Sequence, residues 1–310
     1  MSEVFSQHTL EKLLGSGKFD VELLSGGVSC DTAKVTGNGV SAVIKRALPQ
    51  LRVPGKWEAD PDRILAEADA IELFGALTPA NVPALLARSD EDLAIAIELA
   101  AEDMRDWRYA MLEGNVDPEV GTTLGRVLAA WHQQTREREL PQRIIDGKKR
   151  LFDLRAGAFY GGMAKTWPEY GALINELATE LMESRECAVH GDFSPKNILH
   201  GPSGTWVLDF EVTHQGAPVF DLGYMCAHLN LKAIKLQAQR DLIRRTLANF
   251  LNSYAEHGGT IPQNVGTHAG VITAVRVVGI SQVNYLDEQQ KARAIARAQE
   301  LLDGAPVFIP

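Results

Sequence analysis

The segment His190-Gly191-Asp192-Phe193-Ser194-Pro195-Lys196-Asn197, with Asp209-Phe210-Glu211 beginning twelve residues after Asn197, decides the fold. It sets an aspartate on a loop and an asparagine five positions later. Two short strands follow, Ile198–His200 and Trp206–Phe210, around the Gly201–Gly204 turn. If the second strand continues through Glu211, Asp209 and Glu211 share one face by alternation; otherwise Glu211 is a solvated carboxylate. The set supplies one general base and several oxygen ligands for a hard cation, and Mg²⁺ takes one or two carboxylates plus substrate phosphates. Phosphoryl transfer uses such a layout, because its catalysis is mostly positioning and charge neutralisation.

Outward from this loop the chain has two textures. Before residue 100, short β-like runs alternate with turn signals: Phe19–Leu24, Cys30–Val35 and Val40–Arg46, the last two joined by Asn38-Gly39, a tight-hairpin dipeptide. A helix is predicted from Pro61 to Phe74, with Ile64, Leu65, Ala68, Ile71 and Phe74 on one face, and then strands at Ala84–Ala87 and Leu93–Glu98. This predicts a five-stranded lobe with one helix. Beyond Glu119 the pattern is helical over Val120–Gln134, Tyr170–Met182, 236–256, 267–286 and 288–302. The expected fold class is α+β, with a small antiparallel-sheet N-lobe over residues 1–100 and a large, mainly helical C-lobe over 101–310, hinged near 98–103.

The 310 residues carry a formal charge of −9, which disfavours a polyanionic partner, so no nucleic-acid surface is expected. Three cysteines without paired spacing predict neither a disulfide framework nor a zinc site, and a cytoplasmic location. No signal-like N-terminus and no apolar run of membrane-spanning length are present, so no membrane partner is expected either.

The motifs HGDFSPKN (190–197), VLDFE (207–211) and PVFDLG (218–223) resemble the aminoglycoside phosphotransferase and choline kinase branch of the protein-kinase-like fold. That resemblance implies a bilobal enzyme that moves the γ-phosphate of ATP or GTP onto a small-molecule hydroxyl. Asp192 would accept the hydroxyl proton, while Asn197, Asp209 and, on a continuing strand, Glu211 would hold Mg²⁺. His190 and Asp221 would brace the catalytic loop. Lys196 is either a charge stabiliser for the transferring phosphate or an exposed loop lysine.

The first lobe would then hold the nucleotide. Gly26, Gly27 and Ser29 lie between two strands, where small residues let backbone N–H groups approach phosphates. Lys45 on the third strand occupies the position of the phosphate-contacting lysine of kinase-like lobes. Glu67, on the following helix between Ile64 and Ile71, is its natural partner. Glu98 and Ala100, at the lobe junction, are placed to offer backbone groups to adenine.

Residues 43–71, 107–119, 207–211 and 275–302 are similar to methylthioribose kinases. In that family a Trp-bearing loop matching Trp57 lies by the nucleotide; packing between lobes is the alternative here. The family's loop is of the HGDLHTGS type and its late helix has paired arginines, whereas this chain has Asn197 and Val275-Arg276. The acceptor is therefore open. Arg276, the sole charge in an apolar stretch, and His214 are the acceptor candidates. A neutral sugar or polyol, methylthioribose-like acceptors included, is favoured, with an aminoglycoside or choline-type acceptor, or a non-catalytic nucleotide-binding pseudokinase, as alternatives. A protein kinase is disfavoured by HGD in place of HRD. A monomer or a homodimer is compatible with the resemblance.

Overall fold

A computed structural model describes residues 4–24, 29–52 and 57–308. In chain order the first elements are α1 (Gln7–Leu14), β1 (Asp20–Leu23), β2 (Cys30–Gly37), β3 (Val40–Ala47), α2 (Arg63–Leu77), β4 (Leu85–Ser89) and β5 (Ala94–Glu98). Among the described residues the strands form one antiparallel sheet in the order β1-β2-β3-β5-β4. Asn38 and Gly39 both have positive φ, 52° and 75°, and close the β2–β3 hairpin as a two-residue loop. That turn's backbone twist matches the twist of the paired strands.

The burial of β5 explains its run of apolar residues. Ala94 and Ala96 pack with Phe5, Leu10 and Leu13 of the α1 region on one sheet face. Ile95 and Ile97 pack with Ile64, Ala68 and Ile71 of α2 on the other. The sheet therefore lies between two helices, and the expectation of a single helix is corrected: α1, only eight residues long, is capped by Ser6, whose Oγ accepts the Thr9 amide at 3.1 Å. Strand alternation also fixes Lys45: Ile44 belongs to the α1 face, so Lys45 faces α2.

The rest of the chain runs through β6 (Arg105–Asp106), α3 (Trp107–Leu112), α4 (Glu119–Gln134), α5 (Gln142–Ile145), α6 (Lys148–Leu151), a π-helical stretch (Phe152–Gly161), α7 (Gly162–Thr166) and α8 (Gly171–Glu183). Then come β7 (Cys187–Val189), β8 (Ile198–Gly201), β9 (Gly204–Val207), β10 (His214–Gly216), α9 (Val219–Lys235), α10 (Arg240–Glu256), α11 (Val265–Val275) and α12 (Glu288–Leu302). Two small sheets, β6-β8-β9 and β10-β7, carry the loops of interest.

Two boundaries differ from expectation. Helix 267–286 stops at Val275, and residues 276–287 form a loop closed by the Val283 amide on the Arg276 carbonyl at 2.9 Å, with Gly279 and Ser281 as turn formers. The strand expected to reach Phe210 ends at Val207, and Asp209 takes a left-handed backbone, φ 69°.

One apolar core runs from the sheet into the helices, centred on Trp131. The Trp131 ring stacks on Phe74 of α2 at 4.3 Å and meets Phe193 edge-on at 6.0 Å, while its Nε1 donates to Thr78 Oγ at 2.8 Å. Truncating a fully buried Trp costs about 3–5 kcal/mol. Trp131 therefore locks the loop at 190–197 to the sheet's helix. Cys30, Cys187 and Cys226 are free and buried. Among the described residues no helix is long and apolar enough to cross a membrane.

Candidate active site

The loop between β7 and β8 is built by Asp221, at the first turn of α9. Its two carboxylate oxygens accept the amides of His190 and Gly191, each at 2.8 Å, and Oδ2 also meets His132 Nε2 at 3.2 Å. His132 continues to the Tyr254 hydroxyl at 2.9 Å. Burial disfavours the Asp221 carboxylate, but His132 and the backbone donors outweigh it and hold its pKa below the ordinary value. Gly191 has φ 83°, and a Cβ there would lie 2.7 Å from the Val212 carbonyl oxygen, so the turn requires glycine.

His190 accepts the Asp192 amide on Nδ1 at 3.1 Å and donates from Nε2 to the Leu208 carbonyl at 3.1 Å. This pattern defines a neutral imidazole, in keeping with burial, which pushes its pKa down. His190 therefore holds the loop. Asn197 donates to the Asp192 carbonyl at 2.9 Å, which commits its amide nitrogen and turns the amide oxygen into the atom available to a cation.

The Asp192 carboxylate is buried. Its Oδ2 meets Lys196 Nζ at 2.6 Å and Arg155 Nη2 at 3.1 Å, while Oδ1 has no partner. Burial works against ionisation, but Lys196, Arg155 and Arg276 prevail and keep the acid well below the carboxylate range. Arg155 comes from the π-helical stretch and also donates to the Gly191 carbonyl at 3.1 Å. The sequence carries no signal for it other than an arginine in an apolar stretch.

Lys45 meets Glu67 at 2.5 Å and Asp209 Oδ1 at 3.2 Å. Burial pushes the Glu67 carboxyl up to about 7 against the pull of Lys45. Burial lowers the Lys45 pKa, but Glu67 and Asp209 drive it well above normal, so the ammonium stays charged. Asp209 keeps about a quarter of its side chain exposed.

Glu211 is elsewhere in this arrangement. Because the backbone turns left-handed at Asp209, the strand alternation that would align the two carboxylates is absent, and Glu211 Oε2 accepts Arg63 Nε at 2.9 Å. Arg63, fully buried at the start of α2, spends its other donors on the carbonyls of Ser29, Leu48, Ala59 and Asp60 at 2.6–3.2 Å. It ties the β2 and β3 ends to the Glu211 loop, a role the sequence pattern does not announce.

His214 is fully buried on β10, its Nδ1 on the Val212 carbonyl at 2.9 Å, packed against Gly147, Gly216 and Phe220. Burial lowers its pKa to about 3. The structure therefore encloses His214 in the core, with no exposed ring atom to present to an acceptor. Arg276 caps α11, with Nη2 on the Tyr224 hydroxyl at 2.6 Å and Nη1 on Ser281. Trp57 donates to the Asp153 carbonyl at 3.1 Å and meets Phe159 edge-on at 6.4 Å, joining its loop to the π-helical stretch. Glu98 directs its carboxylate to the Ala84 amide at 3.1 Å, and Ala100 lies in the connection after β5. Ser29 gives its carbonyl to Arg63, whereas Gly26 and Gly27 lie outside the described residues.

The donor set fits a hard cation. Asp209 and Asn197 offer oxygens alone, and among the described residues no group of three His, Cys, Asp or Glu side chains converges to cage a metal by itself. Few protein ligands beside substrate phosphates is the mode that suits Mg²⁺.

Residues 20–259 match the family model APH, described as the phosphotransferase enzyme family, and the chain belongs to that family. It is 26% identical to the methylthioribose kinase of Bacillus cereus over 84% of this chain and 81% of that one, and equally to that of Bacillus anthracis. Amicoumacin kinase hAmiN, solved with AMP-PNP, Ca²⁺ and Ami, superposes with a TM-score of 0.60 at 13% identity over 93% of this chain and 89% of that chain. Choline kinase LicA from Streptococcus pneumoniae gives 0.53 at 14% over 96% and 98%. These superpositions establish the fold, a bilobal kinase-like architecture, as the loop motifs had implied.

Proposed function

We propose that this chain transfers the γ-phosphate of ATP, or of GTP, to a hydroxyl of a small molecule, with Asp192 as the group that receives the hydroxyl proton. The observation that carries this reading is the buried Asp192 carboxylate, with one oxygen clamped by Lys196 and Arg155 and the other without a partner.

Lys45, held by Glu67, donates to the nucleotide phosphates. Asp192 Oδ1 accepts a hydrogen bond from the acceptor hydroxyl and orients its oxygen at the γ-phosphorus. The new O–P bond forms as the bond to the β–γ bridging oxygen breaks, leaving the diphosphate, and the hydroxyl proton passes to Asp192. So strongly depressed a carboxylate is a weak base, and its work is orientation, with proton transfer late, which suits a loose transition state. Lys196, 2.6 Å from Asp192, neutralises charge on the transferring group. A divalent cation, Mg²⁺ in this reading, would be held by Asp209 and Asn197 and would supply charge neutralisation on the phosphates. Glu211 would act through Arg63 as a support. Residues 1–100 and 101–310 serve as the two lobes of this proposal.

The reading is tested by ADP release from Mg·ATP over sugars, thio-sugars, amino alcohols and aminoglycosides. Turnover of a hydroxyl acceptor that vanishes in Asp209→Ala is the expected result. A thermal shift with Mg·ATP but no ADP release with any acceptor would make the chain a nucleotide-binding pseudokinase instead.

A further inference from the structure

Around Asp192 and along α9, cationic side chains outnumber the carboxylates that pair with them among the described residues. Arg155 and Arg276 flank the same two rings: Arg155 Cζ lies 5.2 Å from the Phe159 centroid and 5.9 Å from Tyr224, and Arg276 Cζ 5.6 and 5.5 Å. Among the described residues the one carboxylate within ion-pair distance of either is Asp192, already shared with Lys196; Glu211 and Asp209 act on Arg155 only from further off. Arg276 donates to the Ser281 carbonyl and hydroxyl and to the Tyr224 hydroxyl, all neutral, and its buried Nε has no partner. His228 stacks on Tyr224 at 5.5 Å, with a buried Nε2 that also lacks one.

Lys232, one turn further along α9, is 1% exposed, with Nζ 3.7 Å above the Tyr285 ring and no carboxylate in ion-pair range among the described residues. Burial, reinforced by Arg108 and Arg276 against the pull of Asp106, pushes its pKa down to about 7. Buried cations without counter-charges are costly, and they persist where a ligand supplies the charge. These groups come from α9, the end of α11, the loop before α12 and the π-helical stretch. The nucleotide-gripping Lys45 and Glu67 come from the sheet and α2.

We propose that the acceptor carries a carboxylate or phosphate group beside its reactive hydroxyl, and that this anionic group docks on Arg276 and Lys232 while the hydroxyl meets Asp192. This rests on the phosphotransferase reading above and deepens it. It replaces the neutral polyol favoured by sequence, and it disfavours choline- or aminoglycoside-like cations, which would face two guanidinium groups across the same rings. An anion here also gives the unpartnered Arg276 Nε and the Lys232 ammonium the partners they lack.

The test is ADP release by the full chain with Mg·ATP and matched acceptors: ribose, ribonate and ribose 5-phosphate, then glycerol, glycerate and glycerol 3-phosphate. In one series an anionic member should exceed its neutral analogue in kcat/KM by at least about tenfold, and the better of carboxylate and phosphate identifies the group. Arg276→Gln, and independently Lys232→Met, should reduce that ratio by about tenfold or more through the KM of the anion. Neutral members used as well as anionic ones would overturn the proposal, as would a variant effect on the KM for ATP alone. If no acceptor turns over, thermal shifts decide: stabilisation by ribonate or ribose 5-phosphate beyond ribose, lost in Arg276→Gln, supports it, and no difference overturns it. Anion binding without ADP release from any acceptor would sink the phosphotransferase reading while leaving the anion site standing.

Discussion

Replacing Asp221 by Asn isolates the brace that shapes the 190–197 loop. The side chain is fully buried, and its two oxygens take the His190 and Gly191 amides at 2.8 Å as well as His132. Asparagine keeps one acceptor oxygen and turns an NH₂ toward the second amide, so one backbone N–H is orphaned and the other bond loses its charge. A lost charge-assisted bond of about 1.5–3 kcal/mol and an unsatisfied donor of about 1–3 kcal/mol give roughly 2.5–6 kcal/mol of destabilisation. Gly191 immediately precedes Asp192, and a misplacement of about 1 Å at a reacting group costs on the order of 10²-fold in rate. Urea unfolding and steady-state ADP release measure the two effects. The pH dependence has a definite sign: the folded Asp221 pKa is depressed, so its stabilisation is full above the ordinary aspartate pKa near 3.9 and is lost as pH falls through the folded value. The Asn variant should lack that part of the acid transition. A loss under about 0.5 kcal/mol with kcat within about twofold would refute the brace.

Three further outcomes are expected. Lys232→Met should raise stability at and below about pH 7, where the wild type must bury a charged ammonium, and the gain should fade as pH rises from about 7 toward the ordinary 10.5; the full gain is on the order of 3–5 kcal/mol, read from urea curves at several pH values. Glu67→Gln removes the carboxylate 2.5 Å from Lys45 and should weaken nucleotide binding about 10- to 100-fold in a titration with ADP analogues, the worth of one charge-assisted bond. Arg63→Met strands the buried Glu211 carboxylate and should cost about 3–5 kcal/mol, with partial recovery in the Arg63→Met, Glu211→Gln double variant.

What was legible in the sequence was what local periodicity encodes. Alternation on β3 and the phase of α2 set Lys45 and Glu67 facing each other, and Asn38-Gly39 announced its hairpin. The family motifs were readable because Asp192, Asn197, Asp209 and Asp221 stand at short, fixed separations. Glu211 pairs with Arg63 because the alternation that would align it with Asp209 breaks at that left-handed residue. His214 lies close to Asp209 along the chain, but on β10, paired with β7, it is fully buried. The run 267–286 is apolar enough to read as helix, whereas Gly279 and the Arg276–Ser281 bonds end it after Val275. Arg63, Arg155 and His132 act across separations of 148, 37 and 89 residues, onto Glu211, Asp192 and Asp221, and no local pattern encodes such pairings.

The central claim is that Asp192 orients and deprotonates an acceptor hydroxyl. It is tested most directly by Asp192→Asn, comparing Mg·ATP binding by calorimetry with acceptor-dependent ADP release. Nucleotide affinity within a few fold of wild type, with kcat lowered on the order of 10²–10⁴, is the predicted result. Undiminished kcat in that variant would contradict the account.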